Sequence, residues 1–286
     1  MEKKNNYFEL KKQVLKRFEE VGIDEISDFD WICCEITGKR RSELAFIKEF
    51  SPKEIEKIND AVEKRLKHIP LGIVFGKTNF YGYDFIVSKD VLIPRLDTEI
   101  LVEKVIEEIK ARKTEVSVLD IGTGSGAIAI TIAKETGAEV TAVDISEKAL
   151  EIAKQNASLN EVDVCFVKSD LFENIQDLKV DLIVSNPPYI ESAEIDSLMP
   201  EVRDFEPILA LDGGKTGLDF YEKIVNDASK HLNPKGKLFF EIGYNQGESV
   251  SSLMKQKFKN VEVIKDYLCN DRVVIGEMYD WKIKKD

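Results

Sequence analysis

The tetrapeptide Asn186-Pro187-Pro188-Tyr189 stands directly behind an apolar, β-branched run, VDLIVS at 180–185. Residues of these types suit chemistry on a planar nitrogen. The lone pair of an amide or aromatic amine is delocalised, so such a nitrogen must be oriented before it will attack anything. The Asn186 side-chain oxygen can accept one N–H of that group, and the Pro187 carbonyl, on a stiff backbone, can accept the other. Two acceptors aim the nitrogen at an electrophile, such as a sulfonium methyl, and favour the positive charge that develops as the bond forms. Tyr189 offers a flat face for a flat group, and no general base of matched pKa is required. The plainer reading is a rigid turn, because proline fixes φ and brings no ladder donor.

Two further groups sit at strand ends. In Asp120-Ile121-Gly122-Thr123-Gly124-Ser125-Gly126 the glycines permit a sharp turn and a close backbone approach, and the helix that follows offers unpaired N–H groups. Asp144 ends the next apolar run, where a carboxylate can accept both hydroxyls of a ribose. Neither choice is unique. Gly122-x-Gly124-x-x-Ala127 also satisfies the relaxed dinucleotide fingerprint, and Asp144 could simply cap the helix that opens near Ser146.

These residues need a scaffold that brings strand ends together, and the periodicity supplies one. Helices are expected at 98–111, 126–136, 146–159, 218–232 and 247–257, alternating with strands at 116–121, 139–144, 162–167, 180–185 and 237–243. Apolar strands separated by helices predict a parallel sheet covered on both faces, whose ligands bind at the carboxyl ends of the strands. Strands at 261–266 and 271–277 have too short a connection to be parallel, so they form an antiparallel hairpin at one edge. Residues 1–70 read as short helices. The clearest start is Ser51-Pro52-Lys53-Glu54, a capping box with Pro at the first helical position. The aromatic, Gly-punctuated stretch 71–95 reads as a hairpin-like linker, and 96–286 as the catalytic domain.

Composition excludes several classes. With 286 residues, 43% hydrophobic and 33% charged, the chain can fill a large domain and a small one. It contains no apolar run near the length of a membrane span, and MEKKNNYFELKKQ lacks the apolar core of a signal peptide, so a cytoplasmic protein without membrane association is expected. Cys33, Cys34, Cys165 and Cys269 show no C-x-x-C spacing, and His68 and His231 are the only histidines, so no metal is expected. The net charge is −12, and residues 1–75 carry as many basic as acidic side chains, which leaves the excess negative charge on the later part. That sign opposes stable binding to nucleic acid.

Longer stretches carry a resemblance: FYGYDFIVSKDVLIPRLDTEILVE, VLDIGTGSGAIAI, VDISEKALEIAKQNA, SDLF, IVSNPPYI, EPILALDGGKTGLDFYEKI, FEIGYNQGE and KDYLCNDRVVIG. In these the chain resembles the peptide chain release factor glutamine N5-methyltransferases over nearly its whole length. The resemblance implies a seven-stranded, Rossmann-like class I methyltransferase sheet with a small helical N-terminal domain that recognises the substrate. It implies S-adenosylmethionine as methyl donor, S-adenosylhomocysteine as product, and release factors as partners. It places the cofactor at Gly122, Thr123, Gly124, Ser125, Gly126 and Asp144, with Asp170 and Leu171 bordering the adenine. Asn186, Pro187, Pro188 and Tyr189 would meet the methyl donor and the target glutamine, and Arg95 and Glu99 would contact the substrate. The family's usual Pro-Arg-Pro-Glu-Thr-Glu connector is Pro94-Arg95-Leu96-Asp97-Thr98-Glu99 here, and Leu171 stands where some relatives carry an aromatic. Asp212-Gly213-Gly214 and Glu241-Ile242-Gly243-Tyr244 resemble family segments near the site, but a loop turn and a strand end explain them as well. Asp271-Arg272 reads as a structural ion pair or a polar pair at the sheet edge. An amino methyltransferase of nucleic acid (adenine N6 or guanine N2) would use the same Asn-Pro-Pro-Tyr chemistry, and a dinucleotide-dependent enzyme or a catalytically silent nucleotide-binding module could share the sheet.

Overall fold

In the computed structural model, residues 6–112 and 114–279 are described. The chain divides into two units: Met1–Gly76 with Met199–Phe205, and Lys77–Leu198 with Glu206–Asp286. Residues 1–5, 113 and 280–286 of the expected domains lie outside the described residues.

The first unit holds helices α1 (Tyr7–Glu20), α2 (Ser27–Thr37), α3 (Arg41–Leu44), α4 (Pro52–Arg65) and α5 (Leu71–Phe75), joined later in the chain by α9 (Pro200–Arg203). The capping box opens α4 as its residues dictate: Ser51 Oγ accepts from the Glu54 N–H at 3.3 Å, and Glu54 returns the bond to the Ser51 N–H at 2.7 Å. Val14, Phe18, Phe29, Ile32, Ile58 and Val62 pack as one core. The return segment is tied in by charge, since buried Arg65 meets Asp28 at 2.6 Å and Glu201 at 3.4 Å.

The second unit begins with a hairpin, β1 (Lys77–Phe80) and β2 (Tyr83–Ile86). It continues as α6 (Thr98–Ala111), β3 (Ser117–Ile121), α7 (Ala127–Thr136), β4 (Glu139–Asp144), α8 (Glu147–Leu159), β5 (Cys165–Lys168), β6 (Val180–Ser185), α10 (Asp219–His231), β7 (Leu232–Glu241), α11 (Gly247–Met254), β8 (Phe258–Lys265) and β9 (Asp271–Met278). Seven strands form one sheet in the order β5-β4-β3-β6-β7-β9-β8, with β9 antiparallel to both β7 and β8. Central strands β3 and β6 are buried almost throughout, as unbroken apolar runs require when helices cover both faces. Val118, Val184 and Phe239 face α6 and α7 on one side, and Leu119, Ile183 and Phe240 face α10 and α11 on the other. Among the described residues no helix is long and apolar enough to cross a membrane.

Several local expectations change. The stretch 71–95 is not a uniform hairpin linker: α5 falls in the first unit and β1–β2 in the second. The strand expected at 162–167 pairs only over Cys165–Lys168, whereas the one expected at 237–243 starts earlier, at Leu232, and absorbs the Asn233-Pro234 step through an irregular register with β6. A 3-10 segment, Ser192–Ser197, and α9 occupy a region that shows no periodicity in the sequence.

Several side chains tie the hairpin to the sheet domain, among them Asn160 on the Asp84 carbonyl and Glu135 on the Tyr83 hydroxyl, and one amide takes both backbone groups of Ile86. Buried Asn156 of α8 accepts from the Ile86 N–H at 2.6 Å and donates to the Ile86 carbonyl at 2.9 Å and the Ser125 carbonyl at 2.8 Å. Truncation would leave backbone groups buried and unpaired, at a cost of about 1–3 kcal/mol for such a group. Asn156→Ala should therefore lower stability by at least that much in urea unfolding. A midpoint unchanged from wild type would show the bonds to be dispensable.

Candidate active site

Pairing between parallel strands lines up the residues that could do chemistry. Ile121 of β3 lies opposite Val143 of β4 and Ser185 of β6, and Ser185 lies opposite Phe240 of β7. One residue further on, Gly122, Asp144, Asn186 and Glu241 stand in a row across four adjacent strands, about 4.8 Å from strand to strand. A cavity of about 240 Å³ opens at this end of the sheet, lined by Gly122, Gly124, Asp144, Asn186, Pro187 and Pro188 together with Asp170 and Leu171.

The glycine loop is built for close approach at two positions and for packing at a third. Gly122 and Gly124 adopt φ of +74° and +55°, and a Cβ on either would meet nothing within 4 Å, so both present bare backbone to open space. Gly126, at φ +83°, instead lets α7 approach α8: a Cβ there would come within 2.8 Å of Ile130 and 3.1 Å of Ala153. Thr123 and Ser125 are buried and do not line the cavity; the Thr123 hydroxyl donates to Asp120 at 2.6 Å, and the Ser125 carbonyl receives Asn156.

Asp144 is drawn toward both the loop and the helix. One carboxylate oxygen accepts the Gly124 N–H at 2.8 Å and the other the Ser146 N–H at 2.8 Å. Ser146 itself caps α8, its hydroxyl accepting from the Ala149 N–H at 3.2 Å, so the helix does not depend on Asp144 for its cap. Each Asp144 oxygen has further lone-pair capacity toward the cavity it lines. Burial raises its pKa against the pull of those backbone donors. Asp170 is exposed, and half-buried Leu171 packs against the apolar layer below.

The end of β6 is clamped from three sides. The Ser185 hydroxyl donates to the Ile121 carbonyl at 2.7 Å, and Asn186 Nδ2 approaches the Thr98 hydroxyl at 3.4 Å. Beyond Tyr189, Ile190 bridges to Asp212, with its N–H on the Leu211 carbonyl at 3.0 Å and its carbonyl receiving the Gly213 N–H at 2.8 Å. A Cβ on Gly213 would lie 2.7 Å from the Pro188 carbonyl and from Tyr189 Cα, so this glycine is required by backbone against backbone. Tyr189 does not line the cavity. It packs half-buried on the α10 side of the sheet, its main-chain carbonyl receives Gln246 at 3.1 Å, and burial pushes its phenol up to about 12.

Arg95 and Glu99, expected at the substrate, are placed otherwise. One guanidinium nitrogen of Arg95, Nη2, donates to both oxygens of buried Glu206 at 2.7 and 2.6 Å, fastening the connector to the segment whose Pro207, Leu209 and Ala210 line the cavity. Glu99 accepts the Tyr81 N–H at 2.7 Å in the hairpin turn. Asp271 and Arg272 are not partners: Lys265 takes Asp271 at 2.8 Å, and Arg272 bridges Asp97 at 3.1 Å and Asp266 at 3.4 Å.

The residues that sequence reasoning passed over are mainly polar groups buried under the row: Thr98, Asn156, Glu206 and Asp120. Only Asp120 carried a signal, a carboxylate inside the apolar run VSVLDI, whereas Thr98, Asn156 and Glu206 stand among polar neighbours that do not single them out. Burial, partly offset by the Thr123 bond and increased by the Asp144 charge, pushes the Asp120 carboxyl up to about 7 from an ordinary 3.8. Because the folded value is the higher one, the fold favours the neutral acid. The stability this contributes is whole below about 3.8 and is lost as pH rises through about 7. Asp120→Asn should accordingly flatten the fall of Tm across that interval; slopes that superimpose for the two proteins would rule this out.

Residues 95–201 match the family described as Methyltransferase small domain. The chain is 42% identical over 257 residues to the release factor glutamine methyltransferase of Fusobacterium nucleatum, covering 87% of this chain and 72% of that one. It is 41% identical over 253 residues to the enzyme of the same name from Geobacter sulfurreducens, covering 87% and 88%. Among solved structures, a methyltransferase from Pyrococcus furiosus superposes with a TM-score of 0.54 at 21% identity over 80% of this chain and 98% of that one. The hMettl16 catalytic domain gives 0.56 at 17% identity over 81% and 84%. At these identities the two structures show the fold, a class I methyltransferase sheet, while the likeness to the sequence relatives extends over most of the chain. The chain belongs to the release factor glutamine methyltransferase family.

Proposed function

We propose that this protein transfers the methyl group of S-adenosylmethionine to the side-chain amide nitrogen, N5, of the glutamine in the Gly-Gly-Gln motif of peptide chain release factors. The observation that carries the reading is the row itself: an open glycine backbone, a carboxylate and an amide at the ends of adjacent parallel strands around one cavity. The residues present fit the cofactor. Gly122 and Gly124 leave room for a ligand against the backbone, Asp144 keeps acceptor capacity for ribose hydroxyls, and Leu171 supplies apolar contact for a base. S-adenosylmethionine brings a methyl group already activated on a sulfonium.

What remains for the chain is to hold an unreactive amide. The Asn186 oxygen and the Pro187 carbonyl would accept the two N–H groups of the glutamine, fix the nitrogen in line with the methyl, and stabilise positive charge on it in the transition state. The N–H becomes strongly acidic once the nitrogen is methylated, so its proton can leave to water. Tyr189 serves this reading as a half-buried prop for the turn. The acidic chain offers nothing that favours a nucleic-acid substrate. The reaction would take place in the cytosol, where release factors work.

Asn186→Ala should slow single-turnover methyl transfer to a release factor by roughly a hundred- to thousand-fold, equivalent to about 2.7–4 kcal/mol, while S-adenosylhomocysteine binding hardly changes. Asp144→Ala should do the reverse and weaken cofactor binding by about 1.5–3 kcal/mol. Equal loss of binding and rate in Asn186→Ala would assign that residue to the cofactor instead.

The first unit would recognise the body of the release factor, where remote contacts can supply binding energy for positioning. Excising 1–70 would strand Glu201 without Arg65, so surface changes are the cleaner probe. Ile26 and Phe46 are exposed large apolar side chains of this unit. Ile26→Ser with Phe46→Ser should raise KM for the intact release factor and leave a short Gly-Gly-Gln peptide unaffected; an unchanged KM for the protein would remove the unit from recognition.

A further inference from the structure

Asn186 can accept an N–H only if its oxygen faces the target, and an amide is nearly symmetric in shape, so something must choose between its two orientations. The neighbouring strand supplies a candidate. Glu241 ends β7 in the position next to Asn186 in the row, because Ser185 and Phe240 are paired. It is 2% exposed, and its Oε2 is buried without a hydrogen-bond partner, which is an unusual state for a carboxyl group. Two side chains face it as hydrogen-bonding groups, the Thr98 hydroxyl from the first residue of α6 and the Asn186 amide. Thr98 is itself buried and lies 3.4 Å from Asn186 Nδ2.

We propose that Glu241 is the positioning residue for Asn186: as a carboxylate it draws the Asn186 Nδ2–H₂ group inward, directly and through Thr98, and so turns Oδ1 toward the substrate. The assignment rests on the methyl-transfer reading above and deepens it. A carboxylate is acceptor-only, a hydroxyl both gives and takes, and an amide has one end of each kind. A chain that ends on an ionised Glu241 can run only one way, from Asn186 Nδ2–H to Thr98 Oγ1 and from the Thr98 O–H to Glu241. Protonation of Glu241 permits the reverse chain, in which Glu241 donates to Thr98 and Thr98 donates to Asn186 Oδ1. Asn186 would then present donors to an N–H₂ group that has only donors to offer in the same plane.

The surroundings put this choice within reach of ordinary pH. Burial pushes the Glu241 carboxyl up to about 7, with Thr98, Arg272 and Asn186 holding it down and Asp97 pushing it up. Arg272 approaches from β9 and Asp97 from just before α6. Tyr189 and Tyr221, which follow β6 and lie in α10, also face it, and burial keeps both phenols neutral over this range. The ionised, orienting form is therefore gained as pH rises through about 7.

The test uses the full-length protein, with Glu241→Gln as the isosteric variant, Glu241→Asp as the conservative one and Glu241→Leu to remove the acceptor. In wild type, kcat for methylation of a release factor should climb with a midpoint near 7. In Glu241→Gln that limb should vanish and kcat at pH 8.5 should drop on the order of 10-fold, with KM and S-adenosylhomocysteine affinity within about 3-fold of wild type. Glu241→Asp should retain a pH limb and recover part of the rate, and Glu241→Leu should fall furthest. A readout independent of substrate is the Asn186 side-chain N–H₂ pair in ¹⁵N-correlated NMR spectra, assigned by its loss in Asn186→Ala: it should titrate near 7 in wild type and stay still in Glu241→Gln. Wild-type kcat in folded Glu241→Gln, or Asn186 signals that do not move with pH in wild type, would overturn the proposal. A wild-type enzyme that does not methylate release factor would instead overturn the functional reading, and the NMR titration would still decide the link between Glu241 and Asn186.

Discussion

Hydrogen bonding between parallel strands sets the position of everything else. With Ile121 opposite both Val143 and Ser185, and Ser185 opposite Phe240, the chain leaves the sheet at the same level on four neighbouring strands. Side chains alternate along a strand, so a slip of one residue would turn Asn186 or Glu241 to the other face of the sheet. The apolar layers on either side prevent that slip. Val184 and Phe239 belong to the layer under α6 and α7, and Ile183 and Phe240 to the opposite layer, so moving the register would expose or misplace a whole set of buried side chains. The chemistry thus inherits its geometry from the core.

Placing polar groups at the ends of such buried strands has a cost, and the structure meets it locally. Asp120 is fully buried and accepts the Thr123 hydroxyl, Asn156 satisfies three backbone groups at once, and both Glu206 oxygens accept from Arg95 Nη2. Two carboxylates keep one buried oxygen unpaired even so, Asp120 Oδ1 and Glu241 Oε2, the second of them at the end of the row beside Asn186. A buried polar group that is not fully satisfied is expensive, and its natural place is where function needs it.

The loops are as constrained as the strands. Asn186 to Tyr189 is gripped by Thr98 from the start of α6, by the Asp212–Gly213 backbone and by Gln246. Two of these contacts depend on glycine having no side chain: a Cβ on Gly213 would collide with the Pro188 carbonyl, and one on Gly217 with the Tyr189 carbonyl. The resemblance of Asp212-Gly213-Gly214 to a family segment therefore has a steric reason. The Asn186–Tyr189 turn can hold its shape only if that loop lies directly on its backbone.

Much of this was legible in residue order. Alternating apolar runs and helical periods dictated the mixed sheet, Ser51-Pro52-Lys53-Glu54 dictated the start of α4, and Gly122, Asp144 and Asn186 could be placed at strand ends because each follows a β-branched run. These are local properties, carried by residues within a few positions of one another. Strand limits were less legible where pairing decided them: β5 begins only at Cys165, where it meets Thr141, and β7 continues back through a proline because β6 still offers partners. Side-chain partners were not legible at all. Nothing near Arg95 announces Glu206, 111 positions away, nor does anything near Asn156 announce Ile86. Sequence could thus place the candidate residues Gly122, Asp144 and Asn186 at the carboxyl end of the sheet. Only the tertiary structure decided that Arg95 and Glu99 brace the connector and the hairpin turn, that Tyr189 faces the core, and that Glu241 stands beside Asn186, because a hydrogen bond depends on where a side chain points after distant segments have packed.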